Sequence, residues 1–500
     1  MKSLYLVVAV ISLLSTTDAA NILFFNGLGE GSHFTVAAEI ARELIHSSHS
    51  VTFLISDAYS HHKEDTTFSK LFNFEVFKHS LPLDNVRNRI SGMTQAAFDD
   101  RLFMYQMTNM NRLVNETNQD CSDLLENEEI MNRLQAAKFD LTFYDPMWPC
   151  SAILADIIGA PHVALSPTAF LAAHCRLFGG ETNPAFVPEL GTGLPVRMSF
   201  GQRLKNTAWS LLNDALVSLF IDAPYKDLSG VPEAQRKKGV KKIMEETSLW
   251  IINSDPIIDI PVTLMPNVVI APGMSTKPAK PLDRLRHSLT PEKQAMFVKS
   301  FGQLKQKVIW QWKGDNPPVN LPENIRTMKW IPQNDLLGHK KTRLFIYQGG
   351  NNGLYEAIYH AVPLLVLPII GDQSDVAQRV HERGIGKRLN PITITSESLL
   401  ESIREVLDTP SFQKNIDKLS EMFHDRPMTS QKKVAFIVEH LLKFGADHLR
   451  SPVHDLNFIA LNMLDVYTVL LSILLLVLYI TYKIIKYIVL VLISFLQKRT

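Results

Sequence analysis

The sequence is short of cysteine and carries almost no excess charge. Three cysteines in 500 residues (Cys121, Cys150 and Cys175) cannot build a dense disulfide framework, and an odd count leaves at least one unpaired within the chain. With 51 basic residues against 50 acidic ones the formal charge is +1, which excludes nucleic-acid binding through a broad basic surface. No Asp-x-Asp triplet occurs, so the usual carboxylate clamp for a metal–nucleotide complex is missing, and no metal ligands are assigned. Repeats of solenoid period and low-complexity tracts are absent as well. What remains is 46% hydrophobic and 20% charged, and is long enough for two domains of ordinary size.

The two ends place the chain at a membrane. Met1-Lys2 precedes an apolar run from Leu4 to Leu14, and small residues lead to a cut after Ala19, so residues 1–19 read as a secretory signal peptide. At the far end, Val466 to Tyr482 is an uncharged run of 17 residues, which predicts a transmembrane helix over 466–486 after a juxtamembrane segment, 451–465. Lys483, Lys486, Lys498 and Arg499 put positive charge beyond it and predict a cytoplasmic tail over 487–500. The apolar stretch Ile484 to Leu496 leaves two readings open, a longer tilted helix or a segment lying along the membrane. A signal peptide with one late span implies type I topology. Asn115-Glu116-Thr117 is a glycosylation acceptor suited to the luminal or extracellular side.

Between the ends, short β-branched and aromatic runs alternate with helix-like stretches. Ile22–Phe25, Val51–Ser56, Leu141–Tyr144 and His162–Leu165 read as buried parallel strands, with helices over Thr35–His46 and Cys150–Ile158. A second series follows: Leu249–Asn253, Val268–Ala271, Val308–Trp312, Arg343–Tyr347, Leu364–Leu367 and Ile385–Leu389. The alternation predicts an α/β protein with two Rossmann-like domains, 20–245 and 246–450, facing a cleft at their carboxyl edges. The basic run Arg236 to Lys242 reads as a solvated helix face. Met104, Met107 and Met110 stand at helical spacing, for which core packing is the better reading than a lipophilic pocket.

The most informative stretch runs from Trp330 to Val380. It opens Trp330-Ile331-Pro332-Gln333 and passes through a strand to Gln348-Gly349-Gly350-Asn351-Asn352-Gly353-Leu354-Tyr355-Glu356. It then continues to Gly371-Asp372-Gln373. A glycine-rich turn between strand and helix exposes backbone N–H groups at the positive end of the helix, a ready phosphate site. This stretch closely resembles the signature of UDP-glycosyltransferases, most specifically the animal UDP-glucuronosyltransferase family. The resemblance extends to the signal peptide, His33, Asp145-Pro146, Asn253-Ser254, Lys277-Pro278-Ala279-Lys280-Pro281 and the terminal span, and so covers nearly the whole chain.

The resemblance implies a GT-B architecture, with an acceptor-binding first domain and a second domain that binds the UDP-sugar, a co-substrate; no cofactor is implied. Position by position, it implies that Trp330 stacks on the uracil and Gln333 bonds its edge. It further implies that Gln348, Gly350 and Asn352 lie along the diphosphate and that Glu356 accepts from the ribose hydroxyls. Asp372 and Gln373 would hold the transferred sugar. It also implies His33 as general base and Asp145 as its orienting carboxylate, for direct displacement of UDP with inversion. His33 follows the first strand and Asp145 ends a later one, so both belong at the sheet's carboxyl edge. The expected partners are a UDP-sugar, a small lipophilic acceptor, a membrane and an assembly with itself or other transferases. The expected location is the endoplasmic reticulum membrane, with the plasma membrane as the alternative, since the tail Gln497-Lys498-Arg499-Thr500 lacks the paired lysines of many relatives.

Two departures from the family pattern matter. Tyr347-Gln348 stands where the family has threonine and histidine, and glutamine cannot carry the charge that assists an anionic leaving group. Between Val268–Ala271 and a helix near Thr290, the family's strand and Gly-Ser turn are replaced by a Pro- and Lys-rich connector, Pro272 to Ser288. Two function classes follow. One is a membrane-anchored transferase moving a sugar, glucuronic acid first and glucose as its rival, to a lipophilic hydroxyl compound. The other is a catalytically impaired relative that binds a ligand or partner.

Overall fold

The computed structural model describes residues 19–497 apart from 26–30, 82–101, 169–171, 179, 181, 218–221, 261, 278–290, 313–317, 319, 329–330 and 370. Residues 1–18 of the expected signal peptide and Trp330 therefore lie outside the described residues. Contacts divide the chain into one compact unit through Arg450 and a second unit, Ser451–Thr500.

The first sheet is formed by β1 (Asn21–Phe25), β2 (Ser50–Ser56), β3 (Asn73–Phe77), β4 (Leu141–Tyr144), β5 (His162–Ser166), β6 (Leu249–Ile252) and β7 (Val268–Ile270). Its order is β3-β2-β1-β4-β5-β6-β7, and every pairing is parallel. The strands are apolar on both faces, as a sheet covered on both sides requires. Ile22 and Phe24 join Phe53 and Phe143 under the Gly31–His46 and Ser430–Phe444 helices. Leu23 and Phe25 join Leu54 and Tyr144 on the other face, under Pro149–Ile158. The Gly31–His46 helix buries Phe34, Ala37, Ala38, Ala41 and Leu44, the three-and-four spacing of one helical stripe.

β6 and β7 correct an expectation. They were expected to open the second series, but β6 pairs with β5 (Val163↔Leu249) and β7 with β6. Trp250 and Ile252 bury into the same core as Leu23 and Tyr144, so the first sheet runs through Ile270. The second half holds a pair, β8 (Val308–Gln311) with β9 (Ile325–Met328), and a parallel sheet of β10 (Phe345–Tyr347), β11 (Leu364–Val366) and β12 (Gly386–Arg388). β9 was not expected, because its Ile-Arg-Thr-Met carries no apolar run. Among the described residues from 271 to 307 no strand occurs; the rest of the connector, 278–290, lies outside them.

Cys121 and Cys150 form a disulfide, and Cys175 is a buried free thiol. In the second unit a single helix, Leu464–Gln497, runs through the expected span and tail without a break. Neither glycine nor proline interrupts it, so residues 487–497 continue the helix rather than starting a separate tail. Leu464–Ser494 is long and apolar enough to cross a membrane, with mean hydropathy 2.2.

Candidate active site

β1 and β4 are neighbours at the point where strand order reverses, the usual ligand crevice of an open parallel sheet. Gly31, at φ +66°, begins the helix that follows β1, and His33 stands in its first turn. Asp145 is the first residue after β4 and is fully buried. Its Oδ2 is hydrogen-bonded to His33 Nδ1, while Oδ1 accepts from the Met147 N–H at 2.9 Å. The His33 side chain keeps 15% of its surface exposed. Burial pulls the imidazole pKa down, but the charge and hydrogen bond of Asp145, with a contribution from Asp372, outweigh it and raise the pKa above 6.5.

The second half brings its residues to the opposing edge. β10 ends in Tyr347, a turn follows, and the helix Asn351–Tyr359 begins. Gly349 has φ +99°, and a Cβ there would stand 2.9 Å from a Val366 methyl and 3.0 Å from the Gln373 carbonyl. Only glycine fits such a turn. Gln348 is exposed, and its Nε2 lies 3.2 Å from where a Gly350 Cβ would stand, so its amide folds over the turn. Gly353 lets the Tyr347 ring approach to 2.9 Å of its Cβ position. The Tyr347 hydroxyl is buried without a hydrogen-bond partner, and burial, then the charges of Asp372 and Glu356, push its pKa well up.

Gln333 and Glu356, expected to meet different parts of a nucleotide, bond each other: Gln333 Nε2 donates to Glu356 Oε2 at 2.7 Å. Burial pushes the Glu356 carboxyl up to about 7, against the Gln333 hydrogen bond and the Lys277 charge. Asn352 faces the first half, where its Oδ1 accepts from Asn253 Nδ2 at 2.9 Å. Asn351 donates to the Asn253 carbonyl at 2.8 Å, so Asn253, the residue after β6, ties the two halves together. Asp372 precedes the helix Gln373–Glu382, and its Oδ2 is buried without a hydrogen-bond partner. Burial and the neighbouring Asp375 push its carboxyl up to about 6, against its own backbone N–H and His33. Gln373 Oε1 accepts from the Ile369 N–H at 2.8 Å.

Sequence reasoning missed one contact of the site's rim. Asp375 accepts from the N–H groups of Gly191 and Gly193 at 2.8 and 2.9 Å, fastening a loop of the first half to the second. The only signal was an aspartate three residues after Asp372. A pocket beside Asp372 has an apolar wall of Val187, Leu190, Leu194, Val196 and Ile260. Asn115 is exposed on the helix Leu102–Leu125, whereas the side chains of Met104, Met107 and Met110 lie outside the described residues. Among the described residues, one group could hold a metal, His79, Asp120 and Asp123, and it includes none of the site residues.

The arrangement joins an imidazole backed by a buried carboxylate, a glycine turn at a helix N-terminus and two carboxyls with raised pKa. Together these can move a proton, cradle an anion and hold hydroxyls. A family model for UDP-glucoronosyl and UDP-glucosyl transferase matches residues 28–288 and 285–499. Human UDP-glucuronosyltransferase 1A3 is 32% identical over 486 residues, covering 91% of this chain and 89% of its own. UDP-glucuronosyltransferase 2C1 of Oryctolagus cuniculus is 35% identical over 381 residues, covering 70% of this chain and 74% of its own. The solved structure of the glycotransferase of kitacinnamycin superposes with a TM-score of 0.57 at 16% identity, over 85% of this chain and 99% of its own. That likeness shows a GT-B fold. A family match over nearly the whole length, on this fold, leaves one assignment: the chain belongs to the UDP-glucuronosyl and UDP-glucosyl transferase family.

Proposed function

We propose that this hexosyltransferase moves glucuronic acid from UDP-glucuronic acid to the hydroxyl of a small lipophilic acceptor, inverting the anomeric carbon. The observation that carries the reading is the His33–Asp145 pair at the switch point, with Asp372 within electrostatic reach. In the proposed step His33 takes the acceptor proton on Nε2. The acceptor oxygen bonds to the anomeric carbon as the bond from that carbon to the β-phosphate oxygen breaks, and UDP leaves with the electron pair. Asp145, bonded to Nδ1, fixes the tautomer and stabilises the imidazolium.

Trp330, Gln333 and Glu356 are the proposed base and ribose contacts. The turn at Gln348 and Gly350, with Asn352, is the proposed diphosphate site. Asp372 and Gln373 are the proposed sugar contacts. The unpartnered buried Oδ2 of Asp372 supports that last role. UDP-glucose is the rival donor, because no cation is assigned to the glucuronate carboxylate. We further propose a luminal body in the endoplasmic reticulum with type I topology, supported by the exposed Asn115 and the long apolar helix. Protease added to sealed microsomes should spare the body; its digestion would contradict the topology.

Two observations favour a catalytically impaired relative instead. The family match breaks into stretches that meet at 285–288, inside the connector, and Gln348 stands where the resemblance implies a histidine. The test offers UDP-glucuronic acid and UDP-glucose, with a panel of phenols and alcohols, to the full chain in membranes. Product supports the transferase. No product from either wild type or Gln348→His, in folded and inserted protein, favours the impaired relative.

A further inference from the structure

The loop 188–196 is rooted in the first half and fastened to the second. Its root is Glu189, which is buried. The Glu189 N–H donates to Asn206 Oδ1 at 2.9 Å, and the carboxylate accepts from Arg176 Nη1 at 2.9 Å and from Asn213 Nδ2 at 3.1 Å. Asn206 and Asn213 stand two turns apart on the helix Phe200–Val217, so the root is fixed to that helix. The Glu189 carbonyl accepts from Thr192 Oγ1 at 2.7 Å and from the Thr192 N–H at 3.2 Å, which turns the chain back on itself. On either side of Thr192, Gly191 and Gly193 have φ of +74° and +54°, a left-handed backbone that favours glycine. Both of their N–H groups meet one carboxylate. Gly191 donates to Asp375 Oδ2 at 2.8 Å and Gly193 to Oδ1 at 2.9 Å.

Asp375 stands in the first turn of the helix Gln373–Glu382, and its own N–H donates to the Asp372 carbonyl at 3.0 Å. A carboxylate in a first helical turn ordinarily serves the N–H groups and dipole of its own helix. Here both oxygens accept from the opposite half. The loop also lies against the turn that carries the proposed sugar contacts. A Cβ on Gly191 would stand 3.7 Å from the Gly371 carbonyl, and one on Gly193 would stand 3.5 Å from Ser374 Cβ. The Gly193 carbonyl accepts from Arg388 Nη1 at 3.3 Å, and Leu190 and Leu194 share a pocket wall with Asp372. The fastening therefore joins a buried polar network of the first half to the turn at 371–375.

The proposed reaction is divided between the same two halves. His33 belongs to the first, and Asp372 and Gln373 belong to the second. In-line displacement needs the reacting atoms about 3–3.5 Å apart, so the halves must be held in register. Hydrogen bonds from N–H groups to a carboxylate are about twice as strong as neutral ones and suit that task. We propose that Asp375 is a positioning residue for sugar transfer: by holding the loop, it sets the sugar bound by the second half in line with the acceptor oxygen that His33 deprotonates. In this role Asp375 touches neither sugar nor acceptor.

The inference rests on the transfer proposed above, so the experiment reads both. Asp375→Asn keeps the size of the side chain but turns one acceptor into a donor that faces a glycine N–H. In the full chain in membranes it should lower the single-turnover rate of transfer by about 10–100-fold, a range that reaches the cost of misplacing reacting groups by about 1 Å. UDP affinity and thermal midpoint should stay near wild type. Gly191→Pro cuts the same contact from the exposed loop, because proline has no N–H to donate. The double variant should then lose no more than the larger single loss. Nitroxides at His46→Cys and Lys341→Cys, both exposed and one in each half, should report a narrow distance distribution that broadens with Asp375→Asn. Product from wild type with an undiminished rate in Asp375→Asn would overturn the inference alone. Rate and UDP affinity that fall together, additive losses in the double variant or an unchanged distance distribution would do the same. No product from wild type with either donor would overturn the transfer reading and the inference with it.

Discussion

At the site itself, the residues of the two halves satisfy their polar groups differently. In the first half, His33 and Asp145 answer each other, and the second Asp145 oxygen is taken by a backbone N–H. In the second half, Asp372 Oδ2 and the Tyr347 hydroxyl are buried without hydrogen-bond partners, and Glu356 is held by a single neutral amide. A buried unsatisfied polar group costs about 1–3 kcal/mol. The proton-handling pair is therefore preformed, whereas the proposed donor side keeps hydrogen-bonding capacity in reserve. A ligand that donates hydroxyls to the second half should stabilise the fold through mass action.

The largest expected effect lies in the first half. His33→Ala should lower transfer by about 10²–10⁴-fold, the usual worth of a positioned acid–base group, while UDP affinity stays near wild type. Product assays and calorimetric UDP titration on the same preparation check both parts. A parallel loss of UDP affinity would erase the distinction between the halves.

That contrast was partly legible in the sequence. His33 and Asp145 could be paired because each follows an apolar strand, and strands β1 and β4 meet at the sheet's centre. The sheet to which Leu249–Ile252 and Val268–Ile270 belong was not legible, since a short apolar run reads alike in either sheet. The hydrogen bond between Gln333 and Glu356 spans 23 residues, and the Asp375–Gly191 contact spans 184; neither leaves a local pattern. The glycine turn was legible as a motif, but the need for glycine at Gly349 depends on Val366 and Gln373, which only the fold brings near.

The next effect sharpens the second half. Gly349→Ala should destabilise the fold by about 1–3 kcal/mol, the range for a side chain forced into a sparsely populated backbone region, and the contact with Val366 adds to it. A lower thermal midpoint with the full membrane-inserted chain would show it. A smaller effect concerns Glu356. Its carboxyl, pushed up to about 7, is ionised only above that pH, and the ionised form is the better acceptor for a ribose diol. UDP affinity should therefore rise with pH between 6 and 8, and Glu356→Gln should flatten that rise. Equal slopes in both proteins would remove Glu356 from the nucleotide site.

The most direct measurement is the single-turnover rate of sugar transfer against pH, in wild type and in Asp145→Asn. A base must be deprotonated to act, so the wild-type rate should rise with pH through a midpoint above the ordinary histidine value of 6.5, where Asp145 and Asp372 hold the imidazolium. Asp145→Asn removes the charge and leaves burial, which favours neutral imidazole. The midpoint should then move to lower pH while the plateau rate falls, because the imidazolium formed during transfer loses its support. An unchanged midpoint and plateau in Asp145→Asn would contradict the His33–Asp145 pair as the group that takes the acceptor proton.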